Sequence, residues 1–341
     1  MKVSLPSLDL DLVVRSHGWY DLPPFEWDPK KHRLSLVFLE GEAPVKVVVE
    51  RRKSGLVATA TRATRATSTA AKATAAAALP TVPTPSSRSK SQKGASRTAP
   101  AAAALHLPLE AGLSSDLPSR AAVRRVLLRV LDLKADLSSF HELCAADPSF
   151  AWIARRGAGR ILRAPTLFED AVKVLATTNC TWGLTKVMVN NLIGTFGRGG
   201  AFPDASFVAG LPEARLKAEI KMGYRAPYLA SFAEEVASGS LDLARWEDPA
   251  RPDEDVEKEI RSLKGFGPYA ADTLGRLLGR HAKLGIDSWT RKKVAIQRFR
   301  GRKVRDARVE RLYARFGRFA GLAFWLDMTS DWHAHRESVW P

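Results

Sequence analysis

Apolar and polar positions change their period twice along this chain. Up to about residue 57 the period is two. Asp9-Leu10-Asp11-Leu12-Val13-Val14 alternates and then turns apolar. Leu34 to Leu39 and Val45 to Glu50 are alternating or β-branched runs bounded by Gly and Pro, so three strands are predicted there. Between the first two lies His17-Gly18-Trp19-Tyr20-Asp21-Leu22-Pro23-Pro24-Phe25-Glu26-Trp27. That aromatic segment either lines a pocket or closes over the sheet. From 58 to 104 no period survives. Ala, Thr, Ser, Pro, Lys and Arg dominate, with no acidic residue between Glu50 and Glu110. Such a stretch buries too little apolar surface to offset its ordering entropy, and disorder is expected. Ala102 to Leu109 reads as a return to the sheet, and the returning segment is bounded at 105–118.

From Ser119 the period becomes helical. Ala122–Leu131 and Leu137–Ala145 are short amphipathic pieces. Thr166 and Glu169 have capping-box spacing. Phe168, Ala171, Val172, Leu175 and Ala176 fall on one stripe, and a second helix is expected over Leu184–Phe196. The expected architecture is α+β: an N-terminal antiparallel β-domain (1–57), a disordered basic insertion (58–104), the return (105–118), a mainly helical domain (119–325) and a tail (326–341).

The totals narrow the partners. In 341 residues, 53 Lys and Arg oppose 36 Asp and Glu, a net charge of +17. That excess points to a polyanion, nucleic acid or an anionic membrane surface. No apolar run reaches the roughly 18 residues of a spanning helix. Only Cys144 and Cys180 are present, which excludes a four-cysteine zinc or iron–sulfur site. The pair His333 and His335 has no third ligand nearby and reads as a surface feature.

One stretch carries candidate chemistry. Val256 to Ala295 holds two helical patterns around Leu263-Lys264-Gly265-Phe266-Gly267. Gly265 and Gly267 permit backbone angles closed to other residues and a close approach by a polyanion. Pro268 suits a first helical position, and a helix N-terminus favours phosphate. Asp287 follows Gly267 by 20 positions, a lone carboxylate before a basic run that includes Arg291, Lys292, Lys293, Arg298 and Arg300. That run is either a solvated face or a set of phosphate contacts.

The hairpin followed by Asp287 resembles the helix-hairpin-helix DNA glycosylase superfamily, near its 3-methyladenine and 8-oxoguanine branches. The resemblance covers Arg120 to about Arg300. It implies a helix-hairpin-helix glycosylase core and a double-stranded DNA partner with a damaged base. It also implies hydrolysis of the N-glycosidic bond of a flipped alkylated or oxidised purine, with Asp287 as the catalytic carboxylate. By the same resemblance Tyr269, Trp182 and Trp289 would form the base pocket. Asn179, Lys264, Gly265, Gly267, Arg291 and Lys292 would touch DNA. Na+ or K+ would sit on the backbone carbonyls of Arg261, Leu263 and Phe266, with no cofactor required. Asn179 instead caps a helix in the plainer reading, and Tyr269 packs between the hairpin helices.

Branch signals conflict. The aromatic residue at 269 resembles alkylpurine glycosylases, whereas Asn179 and Gly223-Tyr224-Arg225 resemble the oxoguanine branch. Bifunctional relatives carry a lysine at position 269, and a tyrosine there implies a monofunctional enzyme without lyase activity. A monomer is expected, acting at a bacterial nucleoid or in a eukaryotic nucleus. The alternative is a non-catalytic protein that uses the hairpin as a phosphate clamp. A third reading is an RNA-binding or architectural basic protein.

Overall fold

The computed structural model describes residues 1–52, 55–63 and 117–334. Five strands form one antiparallel sheet in the order β1-β5-β4-β3-β2. They are β1 Lys2–Leu5, β2 Glu26–Asp28, β3 Arg33–Glu40, β4 Ala43–Arg52 and β5 Gly55–Arg62. The alternation works as expected: Leu34, Leu36, Val45, Val47, Val49, Ala58 and Ala60 are all fully buried on one face. The sheet runs further than its pattern suggested. β5 pairs along its length with β4, as far as Val45 opposite Arg62, so the β-region extends past residue 57.

The stretch expected as a first strand is a helix. Asp9 caps α1, Leu10–Val14, by accepting the Leu12 N–H. A local cap outcompeted the alternation, because five residues fit one helical turn as well as a strand. The expected return to the sheet at 105–118 and the basic insertion at 64–104 lie outside the described residues.

The rest is helical: α2 Arg120–Val130, α3 Ser138–Ala145, α4 Ala151–Arg156, α5 Leu167–Thr177, α6 Trp182–Phe196, α7 Ala205–Ala209, α8 Glu213–Ala218, α9 Ala226–Ala237, α10 Ala244–Glu247, α11 Asp253–Ser262, α12 Pro268–Leu277, α13 Ser288–Phe299, α14 Asp306–Tyr313, α15 Ala320–Met328 and α16 Ser330–Ala334. One hydrophobic core joins sheet and helices.

Helix α5 is the axis of that core. Every residue from Leu167 to Ala176 is buried, not only the apolar stripe. Its charges are therefore neutralised internally. Lys173 Nζ lies 2.6 Å from Glu169 Oε1. Asp170 accepts from Trp19 Nε1 at 2.8 Å, from the Ala164 N–H at 2.9 Å and from Arg129 Nη2 at 2.6 Å. Thr166 caps α5 by accepting the Glu169 N–H. The reciprocal half of the expected capping box is not made, because the Glu169 carboxylate is committed to Lys173.

The C-terminal helices are core rather than tail. Leu322, Phe324, Leu326 and Met328 are buried on α15, and so is Trp332 on α16. His333 is buried against the Trp152 ring instead of lying on the surface, and burial pushes its pKa down to about 4. Helix α15 presses closely on the loop before α13. Gly321 N–H donates to His281 O at 2.7 Å, and a Cβ at 321 would overlap the Lys283 carbonyl.

Candidate active site

The hairpin consists of α11, a turn and α12. The turn needs one of its two glycines. Gly265 has φ +87°, and a Cβ there would come within 2.7 Å of Tyr228 Cδ2 and 2.9 Å of Leu175 Cδ1. Helices α9 and α5 thus press directly on the turn. Gly267 has φ −78° and open space where a Cβ would be, so neither conformation nor crowding demands glycine there. Phe266 between them is buried, its ring 5.1 Å from that of Phe232, and this nails the turn to the core. Pro268 opens α12 as expected.

Asp287 is the N-cap of α13. Its Oδ1 accepts the Thr290 N–H at 2.7 Å and lies 2.7 Å from Thr290 Oγ1, while its own N–H donates to Thr290 Oγ1 at 2.8 Å. The capping box uses one carboxylate oxygen. Among the described residues no donor is paired with Oδ2. The side chain is half-buried, so a fixed carboxylate presents one open oxygen.

Asp287 lines a cavity of about 1310 Å³. Asp287, Tyr269, Trp182, Trp289, Asn179, Gly265 and Gly267 all line it, as do Arg261, Leu263 and Phe266. These residues come from the α5–α6 corner, the hairpin and the start of α13, and the fold brings them to one wall. Tyr269 donates from its hydroxyl to Thr177 Oγ1 at 3.3 Å. Burial foremost raises the phenol's pKa, and the nearby Asp287 adds to it. Trp182 is pinned by Asp21, which accepts its Nε1 at 2.9 Å. Its ring lies parallel to that of Trp19, 6.5 Å away. Asn179 does not cap α6; Thr181 does. Asn179 stands exposed at the cavity rim with φ +46°, and asparagine tolerates that left-handed conformation.

Three sequence candidates do not line the cavity. Lys264 and Lys292 are exposed outside it. Arg291 is bound to Asp306, at 2.9 Å through Nε and 2.8 Å through Nη2, an exposed pair that competes with phosphate. Lys293 and Arg298 of the same basic run are likewise paired, with Asp331 and Asp327.

Sequence reading offered His17 and Trp19 as pocket lining, as one of two readings of their segment, but missed Thr273, Arg276 and Trp325, which also line the cavity. Tyr269, Thr273 and Arg276 are spaced i, i+4, i+7 on α12, so helical periodicity already placed Arg276 on the cavity face. The aromatic segment 17–27 splits. His17, Gly18 and Trp19 line the cavity, while Phe25 is buried elsewhere in the core.

No family model matches this chain, and no curated protein matches it by sequence. Solved structures do. MBOgg1 in complex with a low-affinity DNA ligand aligns over 98% of this chain and 96% of its own, at TM-score 0.66 and 16% identity. The 3-methyladenine DNA-glycosylase from Archaeoglobus fulgidus covers 96% of this chain and 97% of its own, at TM-score 0.64 and 16% identity. The 8-oxoguanine glycosylase/lyase of Clostridium acetobutylicum, with DNA containing cytosine opposite 8-oxoG, covers 96% and 92%, at TM-score 0.63 and 15% identity. The chain has the helix-hairpin-helix DNA glycosylase fold. In this glycosylase fold the N-terminal sheet and the helical body align together, as the shared core requires.

The backbone carbonyls of Arg261, Leu263 and Phe266, which the resemblance offered to a monovalent cation, belong to the hairpin. They lie where α11 ends, and a helix C-terminus carries free carbonyls and partial negative charge. The Leu263 carbonyl accepts the Phe266 N–H at 3.1 Å, a bond that a cation would share. Cys144 and Cys180 are both free thiols, and no group of three or more His, Cys, Asp or Glu side chains among the described residues is arranged to hold a metal.

Proposed function

We propose that this protein is a monofunctional DNA glycosylase that hydrolyses the N-glycosidic bond of a damaged base flipped out of duplex DNA. The observation that carries the reading is Asp287, a residue lining the cavity beside the hairpin, whose Oδ1 is locked in a cap while Oδ2 is paired with no donor among the described residues. A pure phosphate clamp has no use for a carboxylate in that place.

The chemistry follows from that geometry. A base inside a duplex is out of reach, so the nucleotide turns out into the cavity at a cost of a few kcal/mol. As the N-glycosidic bond breaks, its electron pair leaves with the base and positive charge grows on C1′. A preorganised carboxylate stabilises that charge in a water-poor site. Asp287 also orients the incoming water: the water oxygen bonds to C1′ and its proton passes to the carboxylate. The departing base takes up a proton. The exposed hairpin turn with Lys264, and Lys292 on α13, contact the flanking phosphates, and Asn179 at the rim faces the space the base vacates. A cation on the hairpin carbonyls would add positive charge where a phosphate passes.

Tyr269 supports release of the base without strand cleavage. A lyase needs an amine to form a Schiff base with the sugar. A half-buried phenol with a raised pKa stays protonated at neutral pH and forms none, and its ring, in the cavity lining, stacks on the base. The test is incubation with duplexes carrying 8-oxoguanine, hypoxanthine, uracil or a methylated purine. Free base should be released from at least one, with intact abasic strands and no adduct on borohydride trapping. No release from any duplex overturns the enzyme reading, and a trapped adduct overturns the monofunctional one.

A further inference from the structure

Four indole rings line the cavity: Trp19, Trp182, Trp289 and Trp325. An indole face attracts cations, so such walls alone would suit a purine carrying a fixed positive charge. Three of them already face cations of the protein. The Arg276 guanidinium is 4.3 Å from the Trp325 centroid, Lys293 Nζ is 5.0 Å from that of Trp289, and Lys173 Nζ is 5.9 Å from that of Trp19.

Two of these cations are neutralised by direct partners. Lys173 lies 2.6 Å from Glu169 and Lys293 lies 2.6 Å from Asp331. Arg276 is different. It is only 4% exposed, and no carboxylate among the described residues is within ion-pairing distance of it. Its Nη2 donates to Leu284 O at 3.2 Å, and its Nε–H has no partner. Asp272, Asp287 and Tyr269 face it from further off. His17 stands beside it, 4% exposed and edge-on to Trp19 at 4.3 Å. Its Nδ1 is buried without a partner. Burial first, then the charges of Arg276 and Lys173, hold the imidazole neutral, well below its ordinary pKa. A neutral imidazole offers one donor and one acceptor.

Resting on the glycosylase reading above, we propose that Arg276 and His17 are the specificity-determining residues of this cavity. They select an uncharged, carbonyl-bearing base, oxidised or deaminated, over a purine made cationic by N-alkylation. Both side chains line the cavity; a carbonyl oxygen of the base accepts from the Arg276 guanidinium, and the ring edge of the base pairs with the His17 imidazole. An N-alkylated purine nucleotide brings a second positive charge next to a buried guanidinium that lacks a carboxylate partner, and like charges in a desolvated site repel strongly.

The test uses the full-length protein and duplexes whose lesion sugar is 2′-fluorinated, so that the base cannot be released during binding. The lesions are 8-oxoguanine, hypoxanthine and 7-methylguanine, beside an undamaged control. The wild type should bind at least one neutral lesion about tenfold more tightly than 7-methylguanine, or roughly 1.4 kcal/mol. Arg276→Met should reduce that preference to within about threefold while leaving affinity for undamaged duplex unchanged. Equal or tighter wild-type binding to 7-methylguanine overturns the proposal, and so does an Arg276→Met protein that keeps the full preference. If Arg276→Met does not fold by circular dichroism, His17→Phe takes its place. It should weaken binding of the neutral lesion only, and an unchanged affinity counts against the proposal. Lesion-selective binding without base release from cleavable duplexes would refute the enzyme reading and leave this one standing. Release of 7-methylguanine in preference to the neutral lesions would do the reverse.

Discussion

Two neighbouring regions treat charge in opposite ways. Around α5 every buried charge is consumed: both oxygens of Asp170 are engaged by three donors, and Glu169 holds Lys173. Among the residues lining the cavity, Asp287 keeps one oxygen without a donor, Arg276 a buried Nε–H without an acceptor and His17 a buried Nδ1 without a partner. A carboxylate with all its lone pairs satisfied is structural. One held by a single oxygen is oriented and still available. The same residue type thus builds the scaffold in one place and offers chemistry in the other, and the difference lies in the count of hydrogen-bond partners.

The sharpest way to break this contrast is to exchange the two carboxylates' fates. Asp287→Asn keeps a cap acceptor but loses the charge. Base release should fall about 10³-fold or more, with the melting temperature and duplex affinity nearly unchanged. Near-normal single-turnover release would end the case for Asp287. Asp170→Ala should do the converse. It strands the Trp19 indole N–H and the Ala164 N–H in the core and leaves Arg129 with Glu247 as its one carboxylate partner, and a broken buried pair costs about 3–5 kcal/mol. Denaturant titration should show that loss, while release per folded molecule at low temperature stays within a few-fold. A stability change near zero would mean that the region around α5 does not depend on its charges.

Gly265→Ala probes the boundary between the regions. The new methyl has to displace Tyr228 or Leu175 and accept a left-handed backbone. A loss of about 1–3 kcal/mol is expected, together with weaker duplex binding, read by denaturation and by fluorescence anisotropy. Gly267→Ala should change stability by far less, since nothing lies within 4 Å of the added methyl.

The smallest effect separates two adjacent cations. Lys292→Ala should lower the slope of log affinity against log salt by about one, and Arg291→Ala by less than that, because Arg291 is spent on Asp306. Equal slopes for the two variants would show that the ion pair opens on DNA.

Much of this was legible in the sequence because local rules decided it. Leu34–Leu39 and Val45–Glu50 carry enough alternation to be strands in any context. Pro268 marks the helix start, and Thr166 marks the cap of α5. What was not legible depended on contacts made at a distance. Asp9–Val14 fits either element by pattern, and a single cap decided it. Glu169 has capping-box spacing, yet the surrounding core turned its side chain toward Lys173. The basic run looks uniform as sequence, but Asp306, Asp327 and Asp331 remove Arg291, Arg298 and Lys293 from it. Arg276 was visible by period as part of the cavity face. That it lacks a carboxylate partner shows only in three dimensions.

The contact between Gly321 and the loop at His281–Lys283 bears on how the protein matures. As the chain is synthesised, the hairpin and the sheet emerge before α15. Until α15 docks, the loop leading to Asp287 has no backstop. A nascent or C-terminally nicked chain would already hold the α11–α12 turn while the segment leading to Asp287 was unsupported. The order of synthesis thereby leaves that segment unbraced until the last helices have closed on the core.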